Sequence, residues 1–84
     1  MYTECGVTSM DKGQFEKYHK LGLNIAYYRK DKGYTQEQLA DALNLDRTTI
    51  SKIELALSGV SLDVLFRLSD ELQVPVYKFF VFPE

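Results

Sequence analysis

Residues 35–56, TQEQLADALNLDRTTISKIELA, decide the fold of this 84-residue chain, because they predict two short helices joined by a tight turn. Thr35 is an N-cap residue for the first helix, and Gln38 follows it at capping-box spacing. Asp46 is an N-cap residue type at the start of the second helix. Apolar residues recur at helical spacing and give each helix one inward face: Leu39, Ala40 and Leu43, then Ile50 and Ile53.

The outward face of the second helix is small and polar. Asn44 and Leu45 lie between the helices, and Asn tolerates the left-handed conformation that a sharp turn requires. With both isoleucines inward, the hydrogen-bonding side chains that face outward are Arg47, Thr48, Thr49, Ser51 and Lys52. A helix of this kind fits the DNA major groove, where Arg or Lys pairs with guanine and Thr contacts thymine. Gln36, at the start of the first helix, is placed for a phosphate oxygen.

The two halves of this motif, GYTQEQLA at 33–40 and LNLDRTTISKIE at 43–54, resemble the phage-repressor/Cro-type (XRE) helix-turn-helix family, over roughly residues 21–80. The resemblance implies an all-α fold, a compact five-helix bundle of the lambda-repressor-like type, with the helix-turn-helix formed by helices 2 and 3. It implies operator binding as a two-fold dimer, through the positions that match the family's DNA-facing sites: Gln36, Arg47, Thr48, Thr49 and Lys52. It also implies an internal salt bridge between Arg29 and Glu54.

The chain departs from the family pattern mainly after the second helix of the motif. Asn44 stands where the family most often has Gly, which Asn replaces at modest strain. Ala56 replaces the Gly that usually ends the recognition helix, which predicts a longer helix or a different ending. Val60 occupies a common Pro position, and Leu55 and Leu57 are apolar where the family tends to be polar.

Length and composition predict one small folded domain, with a flexible tail at residues 1–10 and the domain at residues 11–84. The apolar fraction of 45% argues against a disordered chain. No apolar run approaches the length of a membrane span, and the N-terminus lacks the pattern of a secretory signal. Cys5 is the single cysteine, which excludes an internal disulfide and fits a reducing cytoplasm.

The net charge of −2 is unusual for a DNA-binding protein, but the charges are unevenly distributed. Residues 11–34 contain six Lys or Arg against three acids, whereas residues 57–84 contain two against four. Such a dipole orients a protein on a polyanion. It also predicts modest non-specific affinity, because few phosphates are neutralised.

The segment before the motif predicts a first helix from a capping box at Asp11 and Gln14 to about Lys32, with Gly33 just past its end. Its inward stripe is Phe15, Tyr18, Leu21, Ile25 and Tyr28. Gly22 lies inside this helix at a cost of about 1 kcal/mol, which indicates that a neighbouring helix packs closely there.

The segment after the motif predicts a fourth helix and a short fifth one. Ser61 caps the fourth helix, whose predicted inward face is Leu62, Leu65, Phe66, Leu68 and Leu72. Pro75 precedes a fifth helix at 76–80, from which Phe79 and Phe80 should enter the core. That leaves Tyr77, Val81 and Phe82 as a dimer or partner surface, and a two-fold dimer would set two recognition helices about 34 Å apart. A short paired strand at 81–82 is the alternative.

No catalytic, cofactor, metal or small-molecule site is expected, since the chain has no phosphate loop and His19 is its only histidine. The sequence therefore predicts a small stand-alone, repressor-like transcriptional regulator that binds a pseudo-palindromic operator as a dimer. The run NLDRT at 44–48 is similar to controllers of restriction–modification systems, and antitoxin-type autoregulators share the scaffold. The alternative is a protein-interaction module on the same scaffold, antitoxin-like or an adaptor, which the low pI and the apolar departures at Leu55 and Leu57 favour and the polar helix face opposes.

Overall fold

The computed structural model describes residues 12–82 and shows an all-helical chain in that range. Its elements are α1 (Lys12–Asp31), α2 (Gln36–Leu43), α3 (Arg47–Glu54), α4 (Leu62–Leu72) and a final 3₁₀ helix (Val76–Phe80). The paired strand considered for residues 81–82 is not present. The predicted tail at 1–10, Cys5 and the Asp11 cap lie outside the described residues.

The prediction of five α-helices is wrong in its last element, which is a 3₁₀ helix. Pro75 stands at its N-cap position and makes no side-chain cap hydrogen bond. The element has only five residues, four of them β-branched or aromatic. Such residues lose side-chain freedom in an α-helix, and one turn cannot repay the entropy of helix nucleation. The tighter 3₁₀ geometry is common in pieces of this length.

All four α-helices end in the same left-handed turn, each with a different residue. Gly33, Asn44, Ala56 and Gln73 have φ angles of 83°, 58°, 59° and 57°. In each turn the next amide donates to the carbonyl oxygen five residues earlier, at 2.8–3.1 Å, which is the Schellman pattern. The expectation of a longer or different ending at Ala56 is therefore wrong. Ala56 adopts the conformation that Gly favours, at a cost of about 1–2 kcal/mol.

The core is built from every element between α1 and the 3₁₀ helix. Its fully buried members include Ile25, Leu39, Ile50, Leu65, Leu68, Leu72 and Phe79. Four residues predicted to face inward do not: Phe15, Leu62, Phe66 and Phe80 are 43%, 66%, 51% and 48% exposed. On α4 the buried face follows Leu65, Leu68 and Leu72, which leaves Leu62 beyond the core and turns Phe66 away from it. In a 3₁₀ helix residues three apart share a face, so burial of Phe79 leaves Phe80 on another side.

Gly22 brings the backbones of α1 and α3 into contact, as its position inside a helix predicted. A Cβ atom at Gly22 would lie 2.4 Å from the carbonyl oxygen of Glu54 and 2.7 Å from that of Ile53. No side chain fits between the helices at this point. The end of α3 therefore rests directly on α1.

Two polar side chains hold the remaining elements. The Asn24 amide donates to the carbonyl oxygens of Phe79 and Val81 at 2.8 and 3.0 Å, which ties the 3₁₀ helix to α1. The Arg67 guanidinium of α4 donates to the carbonyl oxygen of Leu43, the last residue of α2. A cation at this position also interacts favourably with the α2 dipole.

Candidate nucleic-acid interface

The outward side of α3 carries the polar residues predicted for it. Ile50 and Ile53 are buried, which fixes the rotation of the helix about its axis. Arg47, Thr48 and Lys52 are exposed on the other side. Thr49 and Ser51 are half-buried at the edges of the same face. The result is a small face with two cations, three hydroxyl groups and no carboxylate.

The start of α2 has free backbone donors beside this face. Thr35 Oγ1 accepts from the Gln38 amide at 3.0 Å, and Gln38 Oε1 accepts from the Thr35 amide at 2.9 Å. This capping box leaves the first-turn amides of Gln36 and Glu37, which have no acceptor inside the helix. The positive end of the helix dipole adds to their attraction for an anion.

A shallow cleft connects the start of α2 to the start of α3. Its lining includes Lys30 from α1, the turn at Gly33, Gln36 and Arg47. Both cations are exposed to solvent. A phosphate oxygen in this cleft would meet the α2 amides and two positive charges, which is the chemistry of a DNA backbone contact.

Asp46 introduces a negative charge at the start of α3. The residue has the extended conformation of an N-cap, with φ −77° and ψ 147°, but its carboxylate accepts no cap hydrogen bond. It is exposed, next to Arg47. The carboxylate therefore opposes phosphate approach at the start of α3, as the exposed Glu37 carboxylate, which lines the cleft, does at the start of α2.

A buried ion pair fixes the inner end of α3. Arg29 Nε lies 2.6 Å from Glu54 Oε2 and Arg29 Nη2 lies 3.1 Å from Glu54 Oε1, with less than a tenth of each side chain exposed. Gln36 Nε2 also donates to Glu54 Oε1, at 2.9 Å. The Glu54 carboxylate thus joins α1, α2 and α3. Sequence reasoning assigned Gln36 to phosphate only and missed this contact, because the two residues are 18 positions apart.

The polar network continues from Arg29 to α4. Arg29 Nη1 donates to the carbonyl oxygen of Tyr34 at 2.8 Å, and the Tyr34 hydroxyl donates to the Glu71 carboxylate. The hydrogen bond to Glu71 is the main cause that raises the pKa of Tyr34 above 10.0, with burial and the negative charge of Glu71 adding to it. Sequence reasoning did not find Tyr34 or Glu71, since no local pattern links residues 37 positions apart.

The three residues predicted as a dimer or partner surface differ in exposure. Tyr77 and Val81 are exposed. Phe82 is half-buried against the core, and Lys20 Nζ lies 5.8 Å from the centre of its ring. Of the three predicted residues, Tyr77 and Val81 are therefore fully available for a partner surface, whereas Phe82 is only partly available.

Among residues 12–82, no group of three His, Cys, Asp or Glu side chains is arranged to hold a metal ion. In the same range, every helix is too short or too polar to cross a membrane.

Comparisons with known proteins agree with this geometry. Residues 25–79 match the family model described as helix-turn-helix. A hypothetical transcription factor of Neisseria meningitidis serogroup B is 31% identical over 64 residues, which cover 76% of this chain and 60% of that relative's length. The restriction-modification controller C.AhdI from Aeromonas hydrophila has a similar structure, with a TM-score of 0.74 and 29% identity over 77% of this chain and 98% of the controller. The structure of the hypothetical transcription factor NHTF from Neisseria is also similar, with a TM-score of 0.76 and 25% identity over 99% of this chain and 92% of that protein.

Proposed function

The chain belongs to the helix-turn-helix family, and on that premise we propose that it is a sequence-specific DNA-binding transcriptional regulator. α3 would lie in the major groove while the start of α2 meets the phosphate backbone. The observation that carries the proposal is the exposed polar face of α3 next to the cleft at the α2 amides.

The residues divide into base readers and a backbone contact. Arg47 would donate to a guanine, with Thr48, Thr49, Ser51 and Lys52 completing base-edge or phosphate contacts. Gln36 would meet a phosphate through its backbone amide and the second N–H of its side chain, because the first N–H is used by Glu54. Glu54 and Arg29 would not contact the DNA themselves; they hold α3 and Gln36 in position.

A homodimer on a pseudo-palindromic operator completes the proposal. Two recognition helices must stand about 34 Å apart to enter successive major grooves. Tyr77 and Val81 supply exposed apolar area for the contact between copies, with Phe82 at its inner edge. The similarity to a restriction-modification controller favours a small control protein that acts in the cytoplasm on its own promoter or a neighbouring one.

A protein-interaction module is the second candidate. Leu55 and Leu57, at the end of α3, are both exposed, although the family tends to be polar there. An apolar pair of this kind suits a protein partner better than a phosphate. The two candidates differ in what α3 itself contacts.

Enrichment of a random-site DNA pool, followed by fluorescence anisotropy over a salt series, tests the proposal. We expect a two-fold symmetric consensus, selective binding that weakens steeply with salt, and loss of preference at one base pair per half-site in Arg47→Ala. Lys78→Ala, an exposed cation on the 3₁₀ helix, is the matched control and should retain the preference. A pool that yields no consensus, with equal and weak binding to all DNA, would overturn the proposal and favour the interaction module.

A further inference from the structure

An apolar groove of about 390 Å³ lies at the opposite end of α1 from the candidate nucleic-acid interface. It is enclosed by the first half of α1, the loop before α4, the first turns of α4 and the end of the 3₁₀ segment. Lys17 in the groove and Arg29 at the interface are 12 residues apart, which is roughly 18 Å along a helix. The groove is therefore separate from the residues assigned to DNA.

The walls of the groove are apolar, and they come from four parts of the sequence. Leu65 is buried and forms the floor, with Tyr18 beside it. Leu62, Phe80 and Phe82 form the rim, and the first two are largely exposed. Ligand pockets typically have about 300–1,000 Å³, mostly apolar lining and few polar groups, and this groove lies within that class.

The charge at the groove is positive. Lys17 lines it, and Lys20 Nζ stands 5.8 Å from the centre of the Phe82 ring, which also lines it. None of the lining residues is acidic. In the described part of the chain neither lysine is engaged in an ion pair. An anion with an apolar body is complementary to such a site, and a cation is not.

We propose that this groove binds a linear amphipathic anion, with a medium-chain carboxylate as its simplest representative. The apolar chain lies along Tyr18, Leu65 and Phe80, and the carboxylate meets Lys17 and Lys20. The inference goes beyond DNA binding and does not depend on it. No sequence motif predicts this site, because its residues are distributed between positions 14 and 82.

A second copy of the chain fits the groove less well. A two-fold contact whose axis passes through the groove would set Lys17 and Lys20 of one copy against those of the other. Like charges in an interface oppose association. Both surfaces are also concave here, which leaves a void between them instead of packed side chains.

NMR titration of the full chain with decanoate, below its micelle-forming concentration, tests the proposal. Decanol and decyltrimethylammonium share the apolar chain and serve as the neutral and cationic probes. We expect saturable shifts at groove residues with decanoate, weaker ones with decanol and none with the cation. Leu62→Gln should weaken decanoate binding about tenfold, because apolar contact is lost. Lys17→Gln should weaken decanoate binding about three- to fivefold, which is the effect expected for the loss of an exposed ion pair.

Matched controls come from residues outside the groove with similar exposure. Leu23→Gln removes an exposed leucine of α1, and Lys78→Gln removes an exposed lysine, so both should bind decanoate like the parent chain. Equal affinity for the three probes, or shifts spread over all exposed apolar residues, would overturn the proposal. It would also be overturned by a dimer that excludes decanoate and dissociates in Leu62→Gln.

Discussion

Two sides of the second half of α1 hold their neighbours by different forces. At Arg29, α1 meets α3 through the buried charge of Glu54, and Tyr34, whose carbonyl oxygen accepts from Arg29, links it to the half-buried Glu71 of α4. At Asn24 and Tyr28, α1 holds the 3₁₀ helix through two neutral hydrogen bonds and an edge-to-face contact between Tyr28 and Phe79, with ring centres 5.8 Å apart. Charged hydrogen bonds depend on direction, whereas apolar contacts mainly depend on distance.

This difference shows which part of the molecule must be held at a fixed angle. A recognition helix reads base edges only when its side chains are well placed, so charged, directional contacts suit α3. The 3₁₀ helix covers the core, and small rotations of that element leave Phe79 buried. The predictions below test this division, beginning with the largest expected effect.

Glu54→Ala should destabilise the fold by about 3–5 kcal/mol, because it leaves the Arg29 guanidinium buried without its partner. The same change frees the Gln36 side chain, so DNA affinity should fall by more than instability alone explains. Urea unfolding measures the first effect. Asp70→Ala, an exposed carboxylate of α4, is the control and should change stability little. If Glu54→Ala lost no more stability than Asp70→Ala, that result would contradict the attachment of α3 through a buried ion pair.

Gly22→Ala should destabilise the protein by about 1–3 kcal/mol, since the new Cβ atom would overlap backbone oxygens that cannot rotate away. The strain is relieved only if α3 moves off α1, which should also weaken selective DNA binding. Gly59→Ala is the matched control, because its Cβ atom would meet the Tyr18 hydroxyl at an ordinary 3.4 Å. Equal melting temperatures for the two variants would show that α3 does not rest on the α1 backbone.

Asn24→Ala should lower the free energy of unfolding by about 1–2 kcal/mol. Two hydrogen bonds are lost, and the higher helix propensity of Ala offsets part of that loss. The loss should be local. Hydrogen exchange should accelerate at Val81, whose amide donates to Lys78, and stay unchanged at Ile50 in α3. Leu23→Ala, at the exposed neighbouring position, provides the control. Acceleration throughout α3 would mean that the two sides of α1 are coupled.

Tyr34→Phe should show the smallest effect, a modest loss of stability at neutral pH that disappears in alkaline solution. The folded protein raises the pKa of Tyr34 above 10.0, so folding favours the protonated hydroxyl. The contribution is complete below pH 10 and is lost as the pH rises through the raised pKa. Stability of the parent chain should therefore fall relative to Tyr34→Phe above pH 10. A constant difference between pH 8 and pH 11 would argue against the contact with Glu71.

The sequence predicted α2, α3 and their turn well because the signals there are local. The capping box at Thr35, the left-handed Asn44 and the two inward isoleucines all lie within a few residues of what they determine. The family prediction is confirmed. The assignment of individual DNA contacts stays a prediction, since it depends on a ligand's position.

The sequence prediction and the structure differ where the deciding contact comes from a distant part of the chain. They also differ where the residue type does not indicate the conformation that it adopts. Ala56 and Gln73 end helices in a conformation that neither residue favours, and only the packing of the next element enforces it. The 3₁₀ helix follows from a short segment that must bury Phe79 after Pro75. Tyr34 with Glu71 and Gln36 with Glu54 are pairs that only the folded chain brings together.

The direct contact of α3 with the α1 backbone at Gly22 has an evolutionary consequence. The angle of α3 is set by main-chain atoms, by Glu54 and by inward isoleucines, whereas the side chains of Arg47, Thr48 and Lys52 form no hydrogen bond or ion pair with other described residues. Under the proposed function, stability and sequence preference would thus depend on different side chains. A lineage can therefore exchange the outward residues, acquire a new binding site on the genome and inherit the same fold unchanged.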